Sequence, residues 1–158
     1  MDEAQRLTRL QFVETVGLFY DQAGLPRMAG RILGWLLICD PPEQTAADLS
    51  AMLGASKGSI SAMTRLLAQM GLIERISLPG DRRNHFHIRP NAWIEVVMRE
   101  LAGVGRFRQL AESGLAVIAD APAATRERLE TMRDIYGFFE RELPALLERW
   151  HHDRQRSS

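Results

Sequence analysis

The chain has 158 residues, 46% hydrophobic and 25% charged, with 20 basic and 20 acidic residues and a formal net charge of zero. That size and apolar fraction suit one domain, or a compact domain with an arm, and exclude a disordered or fibrous chain. No apolar run approaches the roughly 20 residues of a bilayer span, the start MDEAQRLTRL has no signal-peptide h-region, and the single Cys39 can form no internal disulfide, so a reducing cytoplasm without membrane attachment is expected.

From Glu3 to Gly24 there is no proline, and Leu7, Leu10, Val13, Val16, Phe19 and Tyr20 fall at helical spacing. Gly24 closes this amphipathic helix and Pro26 suits the first turn of the next. Arg27 to Cys39 is apolar on nearly every side, which predicts a helix buried at the centre of a domain. Asp40-Pro41-Pro42 stops it. Thr45 caps a short helix to Leu53, Gly54 interrupts, and Ser56 caps a further helix to Met70 with Ile60, Met63, Leu67 and Met70 as its buried stripe. Leu72 to Leu78 and His85 to Arg89 alternate as two strands around Pro79-Gly80-Asp81-Arg82-Arg83-Asn84, a hairpin with a basic tip. Pro90 opens a helix to about Asp120. The last helix, from Ala124 to Trp150, carries Leu129, Met132, Tyr136, Phe139, Leu143, Leu146 and Trp150 in a 3-4 seam, with a kink expected near Pro144. In the preceding helix Ile94, Val97, Leu101, Val104, Ala111, Leu115 and Ile118 keep a similar register, broken where Arg108 occupies a seam position.

Locating the charges changes the meaning of the zero. Met1–Ala55 has net charge −3, Ser56–Arg89 +4, and Pro90–Ser158 −1. A basic block between mildly acidic arms is what a polyanion-binding segment produces. Nineteen of the 20 basic residues are arginine, the fork-shaped donor for phosphates and guanine edges.

The block coincides with a short helix, a glycine turn, a capped helix and a hairpin, the order of a helix-turn-helix with a wing. Leu49, Leu53, Ile60 and Met63 supply its small core. The outward face of the second helix presents Lys57, Ser59, Ser61, Ala62 and Arg65, with no acid between Ser56 and Met70. Such a face enters a major groove without repulsion, and Ser56 with the first N–H groups can receive a phosphate. Arg82 and Arg83 are placed to reach an adjacent minor groove. Strand alternation puts Phe86 and Ile88 in the core and leaves His85 and His87 exposed or on the DNA side.

The segments Gly24-Leu25-Pro26-Arg27-Met28-Ala29-Gly30-Arg31-Ile32-Leu33-Gly34, Ala55-Ser56-Lys57-Gly58-Ser59-Ile60-Ser61, Gly71-Leu72-Ile73 and Pro79-Gly80-Asp81-Arg82-Arg83 together resemble the GbsR-like branch of the MarR superfamily of winged-helix transcriptional regulators. The resemblance covers about residues 15–90 and is looser over the helical arms. It implies a mainly α fold with a small β-hairpin wing, divided into an N-terminal dimerisation helix (1–24), a winged helix-turn-helix domain (25–90) and a C-terminal helical dimerisation region (91–158). It also implies a homodimer on a pseudo-palindromic operator in double-stranded DNA, with recognition helices about 34 Å apart. Asp81-Arg82-Arg83 fits the superfamily's Asp-x-Arg wing pattern, in which the aspartate orients the wing through an ion pair, here Asp81 with Arg83. Leu7, Leu10 and the seam from Leu129 to Trp150 would join the protomers.

The resemblance further implies a small-molecule effector, for which Phe19, Tyr20, Trp35 and Trp93 could form an aromatic cage suited to a quaternary ammonium group. Cys39 has no flanking cation in sequence and reads as an inert thiol. The four histidines lack metal-ligand spacing, and no phosphate loop, nucleophile elbow or acid–base carboxylate pair is present, so no cofactor, metal or enzymatic activity is expected. The competing possibility is a helical protein-interaction adaptor that keeps the winged fold without reading DNA.

Overall fold

The computed structural model describes residues 2–156, apart from the side chains of residues 151 and 155. In chain order the elements are α1 (Glu3–Gln22), α2 (Arg27–Leu36), β1 (Gln44–Thr45), α3 (Ala46–Leu53), α4 (Lys57–Gln69), β2 (Ile73–Ser77), β3 (Asn84–Ile88), α5 (Ala92–Val117) and α6 (Ala123–Arg156). The chain is thus mostly helical with one small antiparallel sheet. It forms two compact units that part within α5, between Val96 and Val97, and α1 lies in the same unit as the winged elements.

In the first unit α2 is the central helix. Ala29, Ile32, Leu33, Trp35 and Leu36 are buried together with Val13 of α1, Leu49 and Leu53 of α3, Ile60 and Leu67 of α4, and Leu72 and Ile73 at the start of β2. Two glycines let α1 lie against α2. A Cβ on Gly30 would stand 2.8 Å from the Val16 carbonyl oxygen, and one on Gly34 would stand 3.2 Å from the Val13 Cα. Glu14 of α1 then bonds Arg27 at 2.6 Å and pairs with Arg31, whose Nη2 donates to the Leu53 carbonyl at 3.1 Å. One arginine therefore links α1, α2 and the end of α3.

Local chemistry explains the helix-turn-helix. Thr45 and Asp48 form a reciprocal capping box: the Asp48 N–H donates to Thr45 Oγ1 at 3.2 Å and the Thr45 N–H to Asp48 Oδ2 at 2.9 Å. Gly54 ends α3 at φ +61°, the left-handed conformation that glycine adopts without strain. Ser56 caps α4 by accepting from the Ser59 N–H at 3.2 Å. The buried stripe of α4 is Ile60, Thr64 and Leu67, while Met63 and Met70 are half-buried. Thr64 tolerates burial because its hydroxyl donates to the Ile60 carbonyl at 2.8 Å.

The sheet has three strands in the order β1-β3-β2, one more than the predicted hairpin. Thr45 of β1 lies opposite His85, and Ile76 of β2 lies opposite it on the other side. In the second unit α5 and α6 pair closely where Gly105 and Gly114 leave room for Glu140 and Leu129. α6 continues through Pro144 as one helix, although the proline has no N–H to give to the ladder. No helix among the described residues is long and apolar enough to cross a membrane.

Candidate nucleic-acid interface

α4 presents Ser56, Lys57, Ser61, Ala62 and Arg65 as exposed side chains, and Ser59 is half-buried. Ile60, Thr64 and Leu67 bury the opposite stripe, so packing against α2 and α3 fixes which face turns outward. Nothing acidic interrupts that outward face. Gly58 is exposed in the first turn, where an added Cβ would meet only Ser56 Oγ, at 4.0 Å.

The wing tip is organised around Asp81. Arg83 Nη2 donates to Asp81 Oδ2 at 2.7 Å, and Arg83 Nε lies 3.0 Å from each carboxylate oxygen. The Arg83 backbone N–H also donates to Oδ1, at 2.9 Å. The Arg83 side-chain hydrogen bonds hold the Asp81 carboxyl far below the usual carboxylate range, and the pair raises the Arg83 guanidinium in turn. Arg82 is exposed and forms no ion pair with any described residue.

His85 departs from expectation. Strand alternation predicts it exposed or on the DNA side, but it is only 6% exposed, and its Nε2 lies 3.0 Å from Asp81 Oδ2. β1 contributes to this: pairing of Gln44 and Thr45 covers the edge of β3 that a two-stranded hairpin would leave open, so His85 is flanked by Thr45 on one side and Ile76 on the other. A ring so covered is not available for direct contact with DNA, contrary to the expectation from alternation. His87 is half-buried, with Nε2 3.0 Å from Glu74 across the ladder. Phe86 and Ile88 pack partly against the core.

The four aromatics proposed as an effector cage are not gathered around one space. Trp35 is buried, and its indole N–H donates to Gln44 Oε1 at 3.1 Å, while Gln44 Nε2 donates to the Pro41 carbonyl at 2.8 Å. Phe19 is 66% exposed, and among the described residues its one ring contact is with Tyr20, edge-on at 5.9 Å, while none joins Trp35 or Trp93 to either. Helical spacing gave these residues a common sequence pattern, but Trp35 turns inward to its amide partner. A cleft of about 600 Å³ beside Trp35 is instead lined by polar groups, among them Arg6, Arg9, Asp48, Arg83 and His85.

Cys39 is half-buried, with Sγ 3.8 Å from the Leu36 carbonyl, and burial pushes its thiol pKa up to about 11. Sequence reasoning missed one charged neighbour, Arg9 of α1, which lowers it slightly. Among the described residues no group of histidine, cysteine and carboxylate side chains could hold a metal ion.

Of the residues expected to join protomers, Leu7, Phe139, Leu146 and Trp150 are exposed, whereas Leu10, Leu129, Met132, Tyr136 and Leu143 are half-buried within the chain itself.

Comparison with known proteins agrees with this architecture. A MarR family model matches residues 23–84, and a model described as an MmpR5-like MarR family transcriptional regulator matches residues 91–154. The HTH-type transcriptional regulator MmpR5 of Mycobacterium tuberculosis (strain ATCC 25618 / H37Rv) is 40% identical over 141 residues, spanning 89% of this chain and 86% of the relative. A crystal structure of a transcriptional regulator superposes with a TM-score of 0.72 at 39% identity, covering 92% of this chain and 99% of the other. These matches name the MarR family and its MmpR5-like group, and none of them names the GbsR-like branch.

Proposed function

Because the chain belongs to the MarR family of transcriptional regulators, whose members are not enzymes, we propose that it binds double-stranded DNA sequence-specifically, as a homodimer on a pseudo-palindromic operator. α4 enters the major groove, where Lys57, Ser61, Ala62 and Arg65 meet base edges or flanking phosphates, and the wing carries Arg82 and Arg83 to the neighbouring minor groove.

The observation that carries this reading is the distribution of unpaired cations. Up to Val96 there are ten arginine and lysine residues. Arg6, Arg27, Arg31, Arg83 and Arg89 each pair with a carboxylate. Lys57, Arg65, Arg75 and Arg82 form no ion pair with a described residue, and all four lie on α4 or the wing strands and tip; Arg9 of α1 is the only other such cation among the described residues up to Val96. Cations held ready for phosphate are not neutralised within their own chain.

Exposed apolar side chains on α5 and α6, including Leu110, Val117, Ile135 and Phe138, support the homodimer, since a soluble chain rarely leaves so much apolar surface uncovered. A small-molecule effector would act by favouring a spacing of the two winged domains that no longer matches the groove repeat.

The test is binding to the promoter fragment upstream of the chain's own gene. Replacing Arg65, Arg82 and Arg83 together with alanine should abolish binding while sizing chromatography still gives a dimer. Unchanged binding, or none by the parent protein at low salt, would overturn the proposal and favour the adaptor.

A further inference from the structure

We infer that His85 is a positioning residue of the wing: through Asp81 it fixes the side chain of Arg83 and the direction in which the wing tip points. The inference rests on the DNA-binding function just proposed and assigns a working part of it to a residue that touches no DNA.

Asp81 and Arg83 stand two residues apart in the same tip, so their ion pair alone could swing as one body with the loop. Asp81 Oδ1 accepts from the Arg83 N–H and Nε, and Oδ2 accepts from Arg83 Nη2 and lies 3.0 Å from His85 Nε2. Among the described residues His85 is the one side chain outside the tip that bonds to either partner. It is also anchored where they are not. His85 lies on the central strand, with Thr45 opposite it on one side and Ile76 on the other, and Thr45 is itself held in the α3 capping box. The capping box, the strand pairing of Thr45 with His85 and the side-chain bonds of Asp81 therefore connect the helix-turn-helix to the wing arginine.

The proton positions follow from the acceptor. The Asp81 carboxylate can only accept, so Nε2 carries the hydrogen and donates it. That leaves Nδ1, which is buried and has no hydrogen-bond partner. Burying an unpartnered ring nitrogen is unfavourable, and a β-branched aliphatic residue would fill a covered strand position without that cost. What the imidazole contributes in exchange is the donor to Asp81, and its effect falls on the wing rather than on the core.

The experiment compares the full-length parent with His85→Leu, which fills the site without a donor, and His85→Gln, whose amide can donate to Asp81 from a similar reach. Three measurements are made: affinity for the promoter duplex, the rate of tryptic cleavage after Arg82 and Arg83, and the His85 ring tautomer by two-bond 15N–1H NMR. His85→Leu should lose roughly tenfold in affinity, the size of one charge-assisted hydrogen bond, and be cleaved faster at the tip. His85→Gln should recover most of both, and the parent ring should carry its hydrogen on Nε2. Parental affinity and cleavage in His85→Leu would overturn the inference, as would an Nδ1–H tautomer in the parent, which needs no variant to fold. If the parent binds no DNA, the proposed function fails; the cleavage and tautomer measurements still decide whether His85 holds the wing.

Discussion

Replacing Arg82 by alanine isolates the electrostatic part of recognition. Four cations per chain, Lys57, Arg65, Arg82 and Arg83, lie exposed on α4 and the wing tip, and a dimer doubles them. With one phosphate neutralised by each, the slope of log K against log salt is about −7, a loss of about 10⁴ in affinity between 50 and 200 mM salt. Arg83 already shares its charge with Asp81, and leaving it out brings the slope to about −5. Arg82→Ala removes two contacts per dimer and should flatten the slope by about 2, whichever total applies. The change should be the same on a scrambled duplex, because phosphate contacts carry no sequence information. Arg65→Ala should in addition narrow the gap between operator and scrambled DNA. The assay is fluorescence anisotropy of labelled duplex across the salt range, with the melting temperature of Arg82→Ala unchanged because the side chain pairs with no described residue. A slope that stays at the parental value in Arg82→Ala, or a parental slope shallower than about −2, would refute the reasoning.

Three further outcomes follow from the geometry. Gly30→Ala gains about 1 kcal/mol of helix propensity but drives a methyl to 2.8 Å from the Val16 carbonyl; the overpacking, about 1–3 kcal/mol, should prevail and lower the melting temperature, and a raised one would show that α1 yields. Cys39, with its thiol pKa pushed up to about 11, should react with iodoacetamide at pH 8 at least about a hundredfold more slowly than the unfolded chain, whose thiol titrates near 8.5; equal rates would contradict its burial. The depressed Asp81 carboxyl contributes stability that is present above the unfolded aspartate value of about 3.9 and lost only as pH falls through its lower folded value. Tryptic cleavage at the wing, corrected for trypsin's own pH dependence, should therefore be flat from pH 8 to pH 5, and loosening within that window would refute the assigned pairing.

What was legible in the sequence was chemistry carried by neighbours along the chain. Thr45, Ser56 and Gly54 each announce a helix boundary through a bond or a φ value set within four residues, and the structure has each of them, with Asp48 and Ser59 supplying the N–H groups at the two caps. What was illegible depends on residues distant in sequence. β1 is two residues long, too short for alternation to register, yet it turns β3 into a central strand and flanks His85 with Thr45. Trp35 was one of several aromatics at helical spacing until Gln44 claimed its indole N–H. Gly30 and Gly34 look like weak points in a helix until α1 is laid across them.

The break in the α5 seam at Arg108 has the same kind of explanation, and it reshapes the expected dimer contacts. Arg108 bonds Glu112 on its own helix at 2.6 Å and pairs with Glu140 of α6. Arg108 thus sits between two carboxylates in a charged, partly exposed stretch of the helix pair that also holds Arg133, Asp134 and Arg141, which is why no apolar residue occupies that seam position. The α6 seam is thus divided between two tasks. Tyr136 stacks on Phe107 at 4.8 Å, and Leu129, Met132 and Leu143 are half-buried in the chain's own second unit. Phe139, Leu146 and Trp150 remain exposed, joined by Leu110, Val117, Ile135 and Phe138, which the heptad count did not select. A second copy would therefore be met by the faces that α5 and α6 leave uncovered after pairing with each other, a broader surface than the single seam that the sequence suggested.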